Sequence, residues 1–247
     1  MAYKLSTKPD YGIDAPAVMR NLFLGGVFGL LLVLFTPPSF HIGATIIIWH
    51  RPVAVMSGFA LVEGCLFLLY VKFGKFRHRD FMLAMHAWTG EEQVLDVGCG
   101  RGLMLAGAAK LLNAGGHATG IDIWSNVDMG GNSETATLHN LALEGITDRC
   151  TLVSARAEAM PFADASFDVI VSNLCLHNIY DKPTRLKALR EIGRVLKPGG
   201  LLLLSDYKLT GEYAKQFRDM GFAVETKWGS FVTTFPPLRV VIARKPS

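Results

Sequence analysis

Charge is scarce in this sequence. Asp, Glu, Lys and Arg make up 19% of its 247 residues, where an ordinary soluble domain carries about a quarter. Cysteine is sparse too. Cys65, Cys99, Cys150 and Cys175 lie far apart with no CxxC or CxxH spacing, which excludes a zinc finger and a disulfide framework and gives no metal site to expect. Scattered thiols suit a reducing compartment. No run of basic residues interleaved with aromatics is present, so the net charge of +4 does not predict a nucleic-acid groove. Internal repeats and low-complexity tracts are also lacking, and nothing in the composition fixes an oligomeric state.

Apolar residues make up half of the chain, and their excess lies before residue 72. Residues 1–17 are polar and read as a weakly ordered tail. Residues 22–35 (LFLGGVFGLLLVLF) carry no charge and stop at Pro37-Pro38, which break a helix. Adding residues 17–21 gives the roughly 20 positions a bilayer span needs, with Arg20 snorkelling to the interface. Residues 42–49 are a second short apolar run, and residues 53–71 (VAVMSGFALVEGCLFLLYV) are the best spanning segment, with Glu63 its single charge.

Lys72, Lys75, Arg77, His78 and Arg79 follow at once, and Lys4, Lys8 and Arg20 flank the first run, so the positive-inside rule places both ends in the cytoplasm. The expected anchor, residues 18–72, is therefore a transmembrane helical hairpin with a short outer connection near residues 36–41. A cleaved signal peptide, a re-entrant or monotopic anchor, and a hairpin buried in a soluble protein are the alternatives. Gly25 and Gly29 have the GxxxG spacing of close helix contacts. Glu63 reads either as an acid held between two helices or as a polar contact to a substrate entering from lipid. Residues 73–90 read as an amphipathic linker helix with Phe81, Met82, Met85 and Trp88 turned inward.

From residue 91 to 247 the pattern changes. Residues 92–97 (EQVLDV) read as a strand, Gly98-Cys99-Gly100-Arg101-Gly102 as a turn, and residues 103–112 as a helix, the opening unit of a doubly wound α/β sheet. Glycines let the backbone turn sharply and approach a ligand, which the helix N-terminus then faces. The third glycine comes one residue too early for a dinucleotide fingerprint, and Leu103 takes its place. Asp96 at the strand end suits a cationic amino-acid ligand better than a pyrophosphate. Asp122 ends the next strand (HATGIDI) about 20 residues on, where an acid can accept from ribose hydroxyls, and Ile123 could pack on a base.

VLDVGCGRG, GIDI, AEAMPFADASFDVIVSN and ALREIGRVLKPGGLLLLSD, in that order, resemble the motifs of class I S-adenosylmethionine-dependent methyltransferases. The set is similar to the type 11 branch that includes ubiquinone/menaquinone-biosynthesis and sterol methyltransferases. The resemblance implies a Rossmann-like α/β sheet with a C-terminal antiparallel strand, and S-adenosylmethionine as cofactor with S-adenosylhomocysteine as product. It implies that Asp96, Gly98, Cys99 and Gly100 hold the amino-acid end, Asp122 the ribose, and Ile123, Ala157 and Glu158 the adenine, with Asn173 and Leu174 beside the sulfonium. Arg156 departs from relatives that carry an acid there, so the backbone of Ala157 would have to serve the adenine amine. Residues 125–131 (SNVDMGG) form a longer segment than usual and read as a lid or a surface loop, with the next helix starting at Asn132 or Ser133.

A base is needed only if the acceptor must lose a proton. His177, in SNLCLHN, and Asp206, after the fifth strand, are the candidates, with Tyr207 as a donor. Cys99 and Cys175 read as structural, since metalloid chemistry would want several converging thiolates. Residues 222–226 and 238–243 read as the last two strands, and residues 227–237 (KWGSFVTTFPP) between them as a wall of the acceptor pocket. The expected function is a membrane-anchored methyltransferase, its catalytic domain facing the cytoplasm, acting on a small apolar or lipid-like acceptor. A small polar or volatile acceptor and a non-catalytic cofactor-binding scaffold are the alternatives. No Asn-Pro-Pro-Tyr-like motif follows the fourth strand, which disfavours protein or nucleic-acid substrates.

Overall fold

The structure is a computed structural model that describes residues 7–125 and 129–247. Lys4 and residues 126–128 of the expected lid lie outside the described residues.

Helix α1 (Pro16–Phe35) starts with proline at its first position and ends before Thr36, whose hydroxyl bonds back to Leu32 O. Its 20 residues would span about 30 Å. The connection is longer than the sequence suggests. Strands β1 (Ser39–Ile42) and β2 (Thr45–Ile48) pair as an antiparallel ribbon, and the apolar run at 42–49 forms part of that ribbon rather than a helix. Helix α2 (His50–Leu69) runs back, and one π-helical stretch (Tyr70–Gly74) leads without a break into α3 (Lys75–Leu83).

Small residues let α1 and α2 approach. A Cβ on Gly29 would stand 2.1 Å from Ser57 Oγ, and one on Gly26 would stand 2.7 Å from Leu61, whereas one on Gly25 would meet nothing. The contact pair is therefore Gly26 and Gly29, three residues apart, and not the GxxxG pair. Glu63 is exposed on the outer face and is not held between the two helices.

Two expectations for the flanks change. Residues 10–15 are a docked strap rather than a loose tail: Tyr11 is buried, its hydroxyl donates to Glu144 Oε1 at 2.6 Å, and Asn140 brackets Asp10 through both its backbone N and its carbonyl. Lys75 Nζ donates to the carbonyls of Tyr11 and Gly12 at 3.0 and 2.6 Å, so this member of the basic cluster is a buried latch; Lys72 and Arg77 are exposed. The expected stripe on helix α3 turns Phe81 inward along with Met82, and only part of that stripe packs. Met82 and Leu83 are buried against the sheet while Phe81 is partly exposed.

The domain that follows alternates strand and helix: β3 (Gln93–Val97), α4 (Leu103–Ala109), β4 (His117–Asp122), α5 (Glu134–Leu143), β5 (Cys150–Ser154), β6 (Phe167–Asn173), α6 (Lys182–Val195), β7 (Leu196–Asp206), α7 (Thr210–Asp219), β8 (Ala223–Trp228) and β9 (Arg239–Arg244). Sheet order is β5-β4-β3-β6-β7-β9-β8, with the first five strands parallel and β9 antiparallel to both its neighbours. Because side chains alternate along a strand, each strand feeds two cores. Val94, Val169, Leu203 and Val240 face α3 and α4, while Leu95, Ile170, Leu204 and Val241 face α6 and α7. Ser133 caps α5 by accepting from Ala136 N. The fold is thus the Rossmann-like sheet with an antiparallel C-terminal strand, preceded by a hairpin of two apolar helices.

Candidate active site

The parallel strands deliver their C-terminal ends to one edge, where such sheets place ligands. A cavity of about 770 Å³ opens there. Its floor is the glycine turn after β3. Gly98 N and Cys99 N both donate to Ile121 O, at 2.8 and 3.0 Å, which ties the turn to β4. Gly98 has a φ of +73°, and a Cβ on it would fall 2.1 Å from Cys175 Sγ, so only glycine fits. Thr137 Oγ1 donates to Gly100 O at 2.7 Å and Asn140 Nδ2 to Arg101 O at 2.9 Å. Sequence reasoning missed these two residues of α5, because nothing local to them marks a contact about 37 positions upstream.

Asp122 closes the turn from the other side. Its Oδ2 accepts from Gly100 N at 2.8 Å, and its Oδ1 accepts from Trp124 N at 2.7 Å and Asn132 Nδ2 at 3.2 Å. A carboxylate has about four acceptor positions, so one on Oδ2 stays open to the cavity. Asp96 lies beneath the turn rather than in the cavity wall. It is 1% exposed, neither carboxylate oxygen has a hydrogen bond of good geometry among the described residues, and burial, only partly offset by the Leu105 backbone N–H, pushes its carboxyl up to about 8. Cys99 is likewise beneath the wall. Burial also pushes the thiols of Cys99 and Cys175 up, which suits packing rather than metalloid chemistry, and the described residues hold no cluster of metal-ligating side chains.

Ile123, Ala157 and Glu158 line one end of the cavity, and Arg156 pairs with the Glu158 carboxylate. Asn173 and Leu174 line it as well. Leu174 has a left-handed φ of +54° and its N–H donates to Ser205 O at 2.9 Å, a strained backbone held in place by β7. His177 and Asp206, separate candidates in the sequence, come together. His177 lines the cavity, and its Nδ1 stands 2.9 Å from Oδ1 of the fully buried Asp206, close in distance though out of line for a hydrogen bond. Asp206 also accepts from Tyr207 N at 2.8 Å and from the Tyr213 hydroxyl at 3.3 Å. That leaves Nε2 as the imidazole nitrogen available to a ligand.

The far wall comes from outside the α/β domain. Asp14, Ala15 and Val18 at the base of α1, and Phe67 and Tyr70 at the end of α2, face the strand ends. From the 227–237 segment Phe235 and Pro236 reach the cavity, and from the lid segment Met129 lies over Gly100. Sequence reasoning missed the contribution of the two apolar helices, whose residues read only as span.

Such a cavity fits an adenosyl amino acid. Glycines remove the side chains that would fill it, Asp122 offers an acceptor at the second strand, and apolar side chains flank the far end. The family model for a methyltransferase domain matches residues 95–204. Residues 95–204 are a methyltransferase domain. The chain is 37% identical over 125 residues to a sterol 4-C-methyltransferase of Caenorhabditis elegans, across 51% of this chain and 34% of that one. It is 34% identical over 143 residues to a ubiquinone/menaquinone biosynthesis C-methyltransferase of Vibrio campbellii, across 57% of this chain and 52% of that one. The chain therefore spans about half or less of the length of these curated relatives. Among solved structures, an S-adenosylmethionine-dependent methyltransferase of Aquifex aeolicus superposes with a TM-score of 0.54 at 20% identity, covering 67% of this chain and 88% of that one. The methyltransferase fold is shared, and S-adenosylmethionine is the cofactor it implies.

Proposed function

We propose that this chain is a membrane-anchored methyltransferase that moves a methyl group from S-adenosylmethionine to a small apolar or lipid-like acceptor on the cytosolic face of a bilayer. One observation carries the reading: the same cavity is walled by the strand ends of the methyltransferase domain and by the base of a hairpin whose outer surface is apolar and exposed. The sterol and quinone named for the relatives belong to the same chemical class.

The bound cofactor supplies an already activated methyl on a sulfonium, so the protein's work is orientation and exclusion of water. Asp96 from below and the turn at Gly98, Cys99 and Gly100 hold the amino-acid end. Asp122 holds the ribose, with Ile123, Ala157 and Glu158 about the adenine. Asn173 and Leu174 border the reacting centre. His177, beside the buried Asp206, takes a proton from an acceptor that must lose one. The exposed Lys72 and Arg77, just after the second apolar helix, support a cytosolic domain by the positive-inside rule.

The test is intact protein in detergent with methyl-labelled S-adenosylmethionine and a membrane lipid extract. Label in the lipid fraction is expected, and Asp122→Ala should abolish it together with cofactor binding. Label only in water-soluble products would assign a polar acceptor, and cofactor binding with no labelled product in lipid or soluble extracts would mean a scaffold.

A further inference from the structure

Tyr70 belongs to no part of the methyltransferase domain, yet it stands in its cavity. It is the first residue of the π-helical stretch after α2. Its ring is buried in a cluster with Phe67, Leu238, Leu174 and Phe235, which fixes it between the hairpin and the loops after β6 and β8. Burying a tyrosine hydroxyl is costly unless it finds a partner. Tyr70 Oη makes no hydrogen bond of good geometry among the described residues, although the Asn173 side chain lies near enough to interact with it.

Two further atoms share that condition. Asn173 and Asp14 both face Tyr70, and Asn173 Oδ1 and Asp14 Oδ2 are likewise buried without a hydrogen bond among the described residues, Asp14 having only Lys75 Nζ at 3.8 Å. All three line the cavity. One phenolic donor and two oxygen acceptors therefore converge on one corner whose other walls are Phe67, Phe235 and Leu174. A group that satisfies them must both accept and donate, and a hydroxyl does so with a single oxygen. The aromatic and aliphatic walls favour a hydroxyl carried on an apolar skeleton, since an anion would meet the Asp14 carboxylate and a cation would compete with Lys75, which already faces it. Asn173 borders the reacting centre, so a hydroxyl held in this corner would lie beside the atom to be methylated.

We infer that Tyr70, carried in by the anchor, is an acceptor-positioning residue that binds the hydroxyl of an apolar acceptor between its own hydroxyl, Asn173 and Asp14. The hairpin is then part of the acceptor site as well as a tether. This rests on the reading of the cavity as one that takes an apolar acceptor.

The experiment compares two probes, 2-farnesylphenol and farnesylbenzene, for binding in detergent micelles to the S-adenosylhomocysteine-loaded full chain by calorimetry. Wild type is expected to favour the phenol by roughly tenfold, the size of one well-made hydrogen bond. Tyr70→Phe keeps the ring and should lower that preference to below about twofold while leaving S-adenosylhomocysteine affinity unchanged. A Tyr70→Phe protein that still discriminates like wild type would overturn the assignment, as would one that loses S-adenosylhomocysteine. Wild type binding both probes equally would overturn the hydroxyl site alone and leave the apolar acceptor standing. Binding of neither probe would sink the apolar acceptor and the Tyr70 role with it.

Discussion

The two parts of this molecule use the same residue types in opposite ways. In the sheet, Leu95, Ile170 and Leu203 are fully buried between helices. On the hairpin, Phe28 is 63%, Phe59 66% and Phe35 80% exposed, and the contact between α1 and α2 is made by glycine and serine instead. The sheet is held together by removing apolar surface from water. A hairpin built the other way, with small residues inside and large apolar ones outside, cannot gain much from that term. Under the proposed anchoring, that exposed face would lie in an apolar medium.

The sharpest way to break that contrast is to place the same charge on each part. Ile170→Asp should leave no folded protein able to bind S-adenosylhomocysteine, because an unpaired carboxylate in the core costs about 4 kcal/mol or more. Phe59→Asp should bind S-adenosylhomocysteine normally in detergent yet lose retention in membranes on carbonate extraction, the charge costing about 3 kcal/mol at mid-span. Equal loss of cofactor binding in both variants would mean the hairpin is an ordinary core element.

The next effect has the opposite sign. Burial raises the Asp96 carboxyl from 3.8 to about 8 in the folded protein. A raised folded value means the folded state holds the proton longer, so stability is full below the unfolded value and is lost as pH climbs through about 8. Asp96→Asn should therefore stabilise ligand-free protein by about 5 kcal/mol at pH 8 and by well under about 1 kcal/mol at pH 4, while weakening cofactor binding. Thermal melts at the two pH values, with and without S-adenosylhomocysteine, read both effects. A variant less stable than wild type at pH 8 would contradict the assignment of a buried, poorly compensated acid.

Within the hairpin, Gly29→Leu should force α1 from α2 at Ser57 and cost about 2 kcal/mol in a detergent melt, whereas Gly25→Leu should cost nothing measurable. The reverse order would put the helix contact on the other glycine. The smallest effect concerns the joint between the two parts. His78 on α3 is buried with Nε2 2.7 Å from Ser205 Oγ, and burial pushes its imidazole down to about 4. A lowered folded value means stability is present above about 6.5 and drains as pH falls toward 4, by about 1.5 kcal/mol on reaching pH 5. His78→Gln should flatten that slope in melts between pH 7 and 5.

What could be read from the sequence follows the same division. The turn from Asp96 to Gly102, the strand ending in Asp122 and the pair of C-terminal strands are local patterns, and the structure places them where the spacing puts them. The two apolar helices also follow from local composition. What could not be read depends on which face meets what. Whether Gly25 or Gly26 makes the helix contact is set by a partner about 30 residues away. The strap at Asp10 and Tyr11 is polar, and its docking relies on Asn140 and Glu144, about 130 positions on. His177 and Asp206 meet only through the register of β6 against β7. Phe67 and Tyr70 carry no local sign that they line a cavity, because apolar span and apolar pocket look alike in sequence.

The account stands most directly on where the acceptor comes from. With full-length protein reconstituted in phosphatidylcholine vesicles, the bulk amount of a prenylated hydroquinone can be held fixed while added lipid dilutes it in the bilayer. Methyl transfer from labelled S-adenosylmethionine should fall in proportion to the acceptor's mole fraction in the membrane. A rate that follows the bulk concentration and ignores dilution within the bilayer would contradict a site that the anchor opens to the membrane.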